Sequence, residues 1–406
     1  SLHFASKYNP KYMIDDNDET VNVLPTEDPQ GDPEGQEVEP KDKSFDLPDS
    51  VEPVSTSYES FDAGDFGFIE HYGEEISVQH DEQLPDNEAV SALNCAFIGV
   101  GGAGGKLAKA FLDLGFNKTL LLNTTEKDQP EGVEPEHLIL IPDGVAKNVA
   151  YGKKVFGENS AVVEDAIRTK LGKVDWIFVL AGGGGGTGSS CVALHEVFER
   201  YLHSVQGDGK VVYIVSWPTA QESLNPTISK NALSLANDVA PYPHILIDNE
   251  RQTQLLRGKV GILNMYPVAN STFAKLFHQV LKLASEKSYV QTFDSKDLAR
   301  CLETEGRMFL GSTMIANPSD PKLGAAIYQN CIKRSPCPMP KGKSVTGTML
   351  LIITPEMATD PEISKHLDAA VSYVGGRCET LFSGVYIKEN LPGLVAVLSV
   401  NGLDGR

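Results

Sequence analysis

Residues 93–406 predict an α/β fold: a parallel sheet covered on both faces, then a long helix and a smaller α+β region. Three observations carry that prediction. Short continuous apolar runs alternate with stretches of helical spacing, as strands buried on both faces do in βαβ units. Two of the runs end in glycine-rich turns that lead directly into a helix. The formal net charge of −20 is confined to the front of the chain and leaves the rest balanced.

In chain order, Cys95–Val100 (CAFIGV) is a buried strand closing on glycines, and Ala103–Leu114 has helical spacing. Thr119–Asn123 (TLLLN) is a second strand and Val174–Ala181 (VDWIFVLA) a third, again ending in glycines and followed by a helix from Thr187 to Leu202. Val211–Ser216 and His244–Ile247 continue the alternation, which implies a parallel sheet. A long helical stretch, Lys259–Lys287, precedes the smaller region. There Met349–Ile353, Cys378–Lys388 and Leu394–Val400 read as strands and Pro361–Val374 as a helix. The expected division is an extension over 1–90, a nucleotide-binding domain over 91–258, a central helix over 259–288 and a final α+β domain over 289–406.

At 406 residues and 41% hydrophobic content there is material for at least one sizeable core. Residues 1–90 hold 24 Asp and Glu against 4 Lys, whereas residues 91–406 hold 31 acidic and 31 basic side chains. With 8 of the 24 prolines and the run Pro25–Lys43 (PTEDPQGDPEGQEVEPKDK), the first segment cannot bury enough apolar surface to offset chain entropy. It is expected to be a disordered or draped extension. Within it Tyr58–Tyr72 (YESFDAGDFGFIEHY) suits docking on a neighbouring subunit or a basic protein partner through aromatic anchors; a solvated tail without a specific partner is the alternative. The acidic balance argues against nucleic acid or an anionic membrane as main partner. No run approaches the roughly 18 apolar residues of a membrane span. Ser1–Pro10 lacks the apolar stretch of a secretory signal, so a cytoplasmic location is expected. Six cysteines occur without a CxxC pair, which argues against a zinc or disulfide framework; Cys331 and Cys337 are the only close pair.

Two loops carry the chemistry. Gly99–Lys106 (GVGGAGGK) lies between strand and helix, so bare amides and a helix amino terminus can converge on a phosphate. It contains G-x-G-x-x-G, which a dinucleotide site shares, but such a site wants an acidic residue roughly 20 residues on, where this chain has Asn123. Gly182–Ser190 (GGGGGTGSS) is far more specific, because five glycines between a buried strand and a helix are no flexible linker. Glycines admit close approach of a polyphosphate, and Thr187 and Ser189 add hydroxyls. Two phosphate loops at strand ends fit a nucleoside triphosphate, while the absence of GxxxxGK[ST] excludes the ordinary P-loop class.

These residues resemble the FtsZ/tubulin superfamily of GTP-dependent polymerising proteins. Gly184–Ser189 (GGGTGS) matches the tubulin signature and Ile98–Lys106 resembles FtsZ's first glycine loop; the likeness extends in order over residues 93–406. It implies a tubulin/FtsZ-like three-layer domain binding GTP or GDP with Mg²⁺. Its contacts would be Gly101, Gly102, Ala103, Gly104, Gly105 and Lys106 in the first loop, Asn123 in the turn Asn123-Thr124-Thr125, and Gly184, Gly185, Gly186, Thr187, Gly188 and Ser189 in the signature. Gly144–Asn159 (GVAKNVAYGKKVFGEN) looks like a diverged third phosphate loop. Pro218 and Glu222 keep the spacing of the ribose loop, and Asn249 and Asn270 match the two guanine readers, an amide offering guanine both donor and acceptor. Thr292–Leu298 (TFDSKDL) resembles the catalytic loop, with Asp294 and Asp297 as its acids; the resemblance implies that they serve the nucleotide of the next subunit in a head-to-tail homopolymer. Gly306, Gly311 and Ser312, and then Gly384–Leu403, resemble the family's later strands.

Lys106, Ser190 and Thr292 depart from the family pattern, in the first loop, the signature and the catalytic loop. The acidic extension lies at the front and the sequence stops soon after the last strand, so a plasmid- or phage-borne relative is expected rather than an ordinary division protein. Three readings stay open: a polymerising GTPase, a non-cycling structural protein that keeps the fold, and a dinucleotide oxidoreductase.

Overall fold

The computed structural model describes residues 89–142, 144–339, 342 and 344–403. The acidic extension with Tyr58–Tyr72 lies outside the described residues. The strands are β1 (Cys95–Val100), β2 (Thr119–Asn123), β3 (Leu138–Leu140), β4 (Trp176–Gly182), β5 (Val211–Trp217), β6 (Pro243–Asp248), β7 (Gly306–Ile315), β8 (Ser344–Ile353), β9 (Cys378–Ile387) and β10 (Leu394–Leu403). They form one sheet in the order β3, β2, β1, β4, β5, β6, β7, β10, β8, β9. Every neighbouring pair is parallel except those of β10, which runs antiparallel to β7 and β8. A short seam joins the two parts of the sheet, in which only Pro243, His244 and Ile245 of β6 pair with Gly306, Arg307 and Met308 of β7.

Both faces of the parallel part are dry, which is why its strands read as unbroken apolar runs. On one face Trp176, Phe178 and Leu180 join Phe97, Phe111 and Phe277 in the main core, while Ile177, Val179 and Ala181 are buried on the other. Phe97 stacks on Phe111 at 4.0 Å between ring centres and Phe178 meets Phe277 edge-on at 5.1 Å. Each such fully buried ring contributes on the order of 1.5–3 kcal/mol. Phe277 belongs to the long helix, so this cluster fixes that helix against the sheet.

The long helix runs from Met265 to Leu283, shorter than the Lys259–Lys287 stretch the sequence suggests. Gly258 at φ 78° and the 3₁₀ turn Ile262–Asn264 delay its start. Gln252 donates to Ala269 near its beginning, and near its end Leu281 accepts from Ala92 while His278 Nε2 lies 3.0 Å from the Val90 carbonyl, just before β1. The helix therefore spans the sheet from the carboxyl ends of the strands to their amino ends. The expected helix Thr187–Leu202 is broken into Gly186–Ser189, a 3₁₀ turn Cys191–Leu194 and His195–Ser204. Ser190 causes the break, since its hydroxyl donates to the Gly186 carbonyl at 2.7 Å and competes with the backbone ladder.

Candidate functional site

β1, β2, β4, β5 and β6 end in step, Val100 pairing with Leu122 and Ala181, Gly182 with Ser216, and Trp217 with Asp248. Their following loops consequently gather at one end of the sheet, where open α/β sheets bind ligands. Gly101 opens the first helix, Gly101–Asp113, at φ 74°. A Cβ on Gly101 would stand 2.8 Å from the Gly188 amide nitrogen, one on Gly104 2.2 Å from the Leu180 carbonyl oxygen, and one on Gly188 2.7 Å from the Gly182 carbonyl oxygen. These glycines let the first loop and the signature loop touch backbone to backbone. Gly104 and Gly188 are thus packing residues, and Gly105 is buried beside Leu121.

Gly185 is different: it is exposed and a Cβ there would meet nothing within 4 Å. Together with half-buried Gly102, Gly184 and Thr187 and exposed Ala103 and Lys106, it forms the open face of the cradle. Thr187 shares a 2.8 Å hydroxyl–hydroxyl bond with Thr124, which joins the signature to the turn after β2, and Asn123 accepts from the Thr124 amide. Ser189 is fully buried and its hydroxyl has no hydrogen-bond partner among the described residues, so it sits behind the loop rather than on its open face. Ser190, the departure from the signature, also donates to the Val149 carbonyl at 3.0 Å, and Gly152 makes room for it, since a Cβ there would lie 2.3 Å from its hydroxyl.

Asn148 caps the helix Val149–Glu158 by accepting from the Tyr151 amide. The turn before it holds two non-glycine residues in the left-handed region, Ala146 at φ 46° and Lys147 at φ 62°. That turn presses on the signature loop: a Cβ on Gly186 would lie 2.8 Å from the Asn148 nitrogen and the Lys147 carbonyl carbon. Further along the sheet end, Glu222 accepts from the Thr219 amide at 2.7 Å. Asn249 starts the helix Asn249–Leu256, which Asp248 caps, and Asn270 lies in the second turn of the long helix. Neither asparagine amide makes a hydrogen bond among the described residues. Burial, then the nearby Glu222 and Glu250 carboxylates, push the Tyr266 phenol above its usual range, and Glu250 accepts from the Ala220 amide at 3.0 Å.

Asp294 and Asp297 lie elsewhere. They form a reciprocal capping box on the helix Ser295–Leu302: Asp294 accepts from the Lys296 and Asp297 amides at 2.9 and 3.1 Å, and Asp297 accepts from the Asp294 amide at 3.3 Å. Burial, with the Asp294 charge added, raises the Asp297 carboxyl above the ordinary range against the pull of its hydrogen bond from the Asp294 amide and of Arg300. Ser288, just past the end of the long helix, donates to the Val385 carbonyl at 3.0 Å, and a Cβ on Gly384 would lie 3.1 Å from the Phe293 Cβ, so the acidic turn sits beside β9 near that end of the helix. About 20 Å of helix, at roughly 1.5 Å per residue, runs from Asn270 to that end. The six cysteines are buried free thiols, Cys95 and Cys191 pushed up to about 12 by burial, so none is a poised nucleophile.

No family model matches this chain. The tubulin-like protein CetZ of Methanothrix thermoacetophila is 25% identical to it over 334 residues, 79% of this chain and 86% of that protein. Among solved structures, GDP-form protofilaments of TubZ from Bacillus thuringiensis serovar israelensis superpose with a TM-score of 0.65 at 16% identity, covering 82% of this chain and 91% of the other. A GTPγS-bound protofilament of CetZ2 from Haloferax volcanii gives 0.63 at 21% identity, covering 77% and 94%. The chain has a tubulin/FtsZ-like α/β fold and is similar in sequence to CetZ and FtsZ proteins.

The cradle collects the glycine-loop residues named from the sequence at one sheet end, with Gly104, Gly105, Gly188 and Ser189 on its inner side. Three participants escaped the sequence reading. Tyr266 stands one helical turn before Asn270 on the same face, a spacing visible in the sequence. Thr124, in sequence only one residue of a turn, ties two loops together. Asn231, in the helix Pro226–Val239, donates to carbonyls 84 and 47 residues away, for which no local pattern exists.

Proposed function

We propose that this chain binds GTP at the cradle, polymerises head to tail in the cytoplasm, and hydrolyses GTP when the acidic turn of one subunit meets the nucleotide of the next. The observation that carries this reading is the separation just described: the cradle and the acids sit at opposite ends of one long helix, so a chain stacked on its own copy joins what a single chain keeps apart. The bound forms named for the TubZ and CetZ2 protofilaments support a guanine nucleotide.

The cradle fits that ligand. The first loop, Gly184–Gly186 and the start of the Gly101–Asp113 helix offer unpaired amides to phosphate oxygens, and Gly185 leaves room for their approach. Lys106 adds a cation that suits polyphosphate. Glu222 turns to the ribose, Asn249 and Asn270 read the base edge, and Tyr266 supplies a flat face beside them. A Mg²⁺ ion bound with the nucleotide would supply charge neutralisation at the phosphates. Asp297, with Asp294 orienting it, accepts a proton from the attacking water. Ser190 is accommodated by Gly152, so this departure leaves the cradle intact.

Phosphate release from GTP across a protein concentration series tests the reading, with the bound nucleotide identified in parallel. Release that rises steeply above a threshold and is abolished by Asp297→Ala supports it; release linear in protein, or surviving that substitution, sinks it. One observation favours the non-cycling alternative: Asp294 and Asp297 already satisfy each other as a helix cap. Bound guanine nucleotide without turnover, in a stable polymer, would decide for that alternative.

A further inference from the structure

We infer that Asn231 is the residue that positions the phosphate-binding backbone of the cradle, a role resting on the proposed nucleotide reading. Its side chain is 5% exposed, and its amide nitrogen donates to the Lys147 carbonyl at 2.9 Å and the Gly184 carbonyl at 3.2 Å. Both partners are acceptors, so only the donor end of the amide fits there. One buried group thus clamps the third loop onto the signature loop.

The consequence follows from peptide planarity. In a trans peptide the carbonyl of one residue and the N–H of the next point in opposite directions. Turning the Gly184 carbonyl into Asn231 turns the Gly185 N–H away from Asn231. That N–H has no backbone acceptor among the described residues, and Gly185 itself is exposed with open space around it. The other half of the clamp holds Ala146 and Lys147 at φ 46° and 62°, a conformation side chains disfavour, directly over Gly186. Asn231 touches neither phosphate nor base; it acts through the Gly184–Gly185 peptide and the 145–148 turn. Its ligand specificity is therefore for the anionic polyphosphate tail and not for the nucleoside.

The full-length chain carrying Asn231→Asp keeps the size of the side chain but removes the amide donor, placing a carboxylate against two carbonyls. Competition binding with GTPγS, GDP and guanosine reads the effect. The expected result is a ten- to hundredfold loss of GTPγS and GDP affinity with guanosine binding unchanged, and with part of the loss restored by Lys147→Gly, which relieves the left-handed turn. Equal losses for all three ligands, or none, would overturn the inference. Should wild-type protein bind neither GTPγS nor guanosine, the nucleotide reading itself fails and the two failures are distinct. Should Asn231→Asp not fold, amide exchange in the wild-type chain decides: GTPγS must slow exchange at Gly185 where guanosine does not, and equal protection by both would refute the role.

Discussion

The two ends of the Met265–Leu283 helix are built on different principles. At the cradle end, loops from distant parts of the chain are locked by backbone contact through Gly101, Gly104 and Gly188, by the Thr124–Thr187 bond, and by the Asn231 clamp. Little there depends on a neighbour. At the other end, Asp294 and Asp297 are engaged only in capping their own helix, and the turn leading to them leaves Tyr289 64% and Val290 69% exposed. Apolar side chains also stand out around the cradle end, with Ile262 and Leu263 each 88% exposed. One end is a cradle assembled by packed loops and the other a self-capping acidic turn beside exposed apolar side chains. The comparison teaches that the fold completes its loop packing at one end and leaves the other end open, the division on which the proposed function rests.

The hardest way to break the cradle end is to put a methyl group where backbones touch. Gly104→Ala, aimed at the Leu180 carbonyl oxygen 2.2 Å away, should cost about 3 kcal/mol or more, seen as a large fall in thermal midpoint with loss of nucleotide binding. Gly185→Ala, with open space around its Cβ, should stay within about 0.5 kcal/mol of wild type in stability yet weaken GTPγS binding. If the two variants melt alike, the division between packing and ligand-facing glycines is wrong.

At the acid end the expected loss is chemical. Asp297→Asn should lower GTP turnover on the order of a hundredfold while nucleotide affinity stays unchanged, whereas Asp294→Ala should also cost about 1 kcal/mol of stability through loss of the cap. Joining the ends is tested by Ile262→Asp with Leu263→Asp. Sedimentation should show the assembly threshold rising about tenfold, equivalent to roughly 1.4 kcal/mol, with nucleotide affinity of the monomer unaltered.

The smallest effect is in pH dependence. Because burial raises the Asp297 carboxyl, turnover, which needs the carboxylate, should begin to fall on acidification above the ordinary aspartate range. Its effect on stability has the opposite sense: the folded state holds this proton more tightly than the unfolded chain, so Asp297 adds stability as pH falls through its folded pKa. Glu164, held low chiefly by its hydrogen bond to Arg200, behaves conversely; its contribution is present above the unfolded pKa and is lost as pH falls through the folded one. Replacing Asp297 by Asn should flatten the activity profile's acid limb while leaving the Glu164 component of the melting profile in place.

Much of the fold was legible because its causes are local. β1 and β2 are apolar runs bounded by turn residues, and they form over the residues the pattern marks. The glycine loops announce themselves by composition. The short strand β3 and the helix Leu323–Arg334 carry no such mark, since three residues make no period and the helix's apolar face is defined by what packs on it. The break at Ser190 was hidden because it depends on a hydroxyl competing with the backbone ladder.

The sequence by itself determined the α/β class, the two glycine loops, the identities of the amide and acidic side chains, and the concentration of charge in the first 90 residues. Tertiary structure alone decided the sheet order, which glycines pack and which face outward, that Ser190 requires Gly152, that Asn231 clamps two loops, and that the acids stand a helix length from the cradle. The physical reason is the range of the forces involved. Periodicity and turn chemistry act over a few residues and can be read along the chain, whereas close packing and buried hydrogen bonds join groups many tens of residues apart and exist only once the chain has folded.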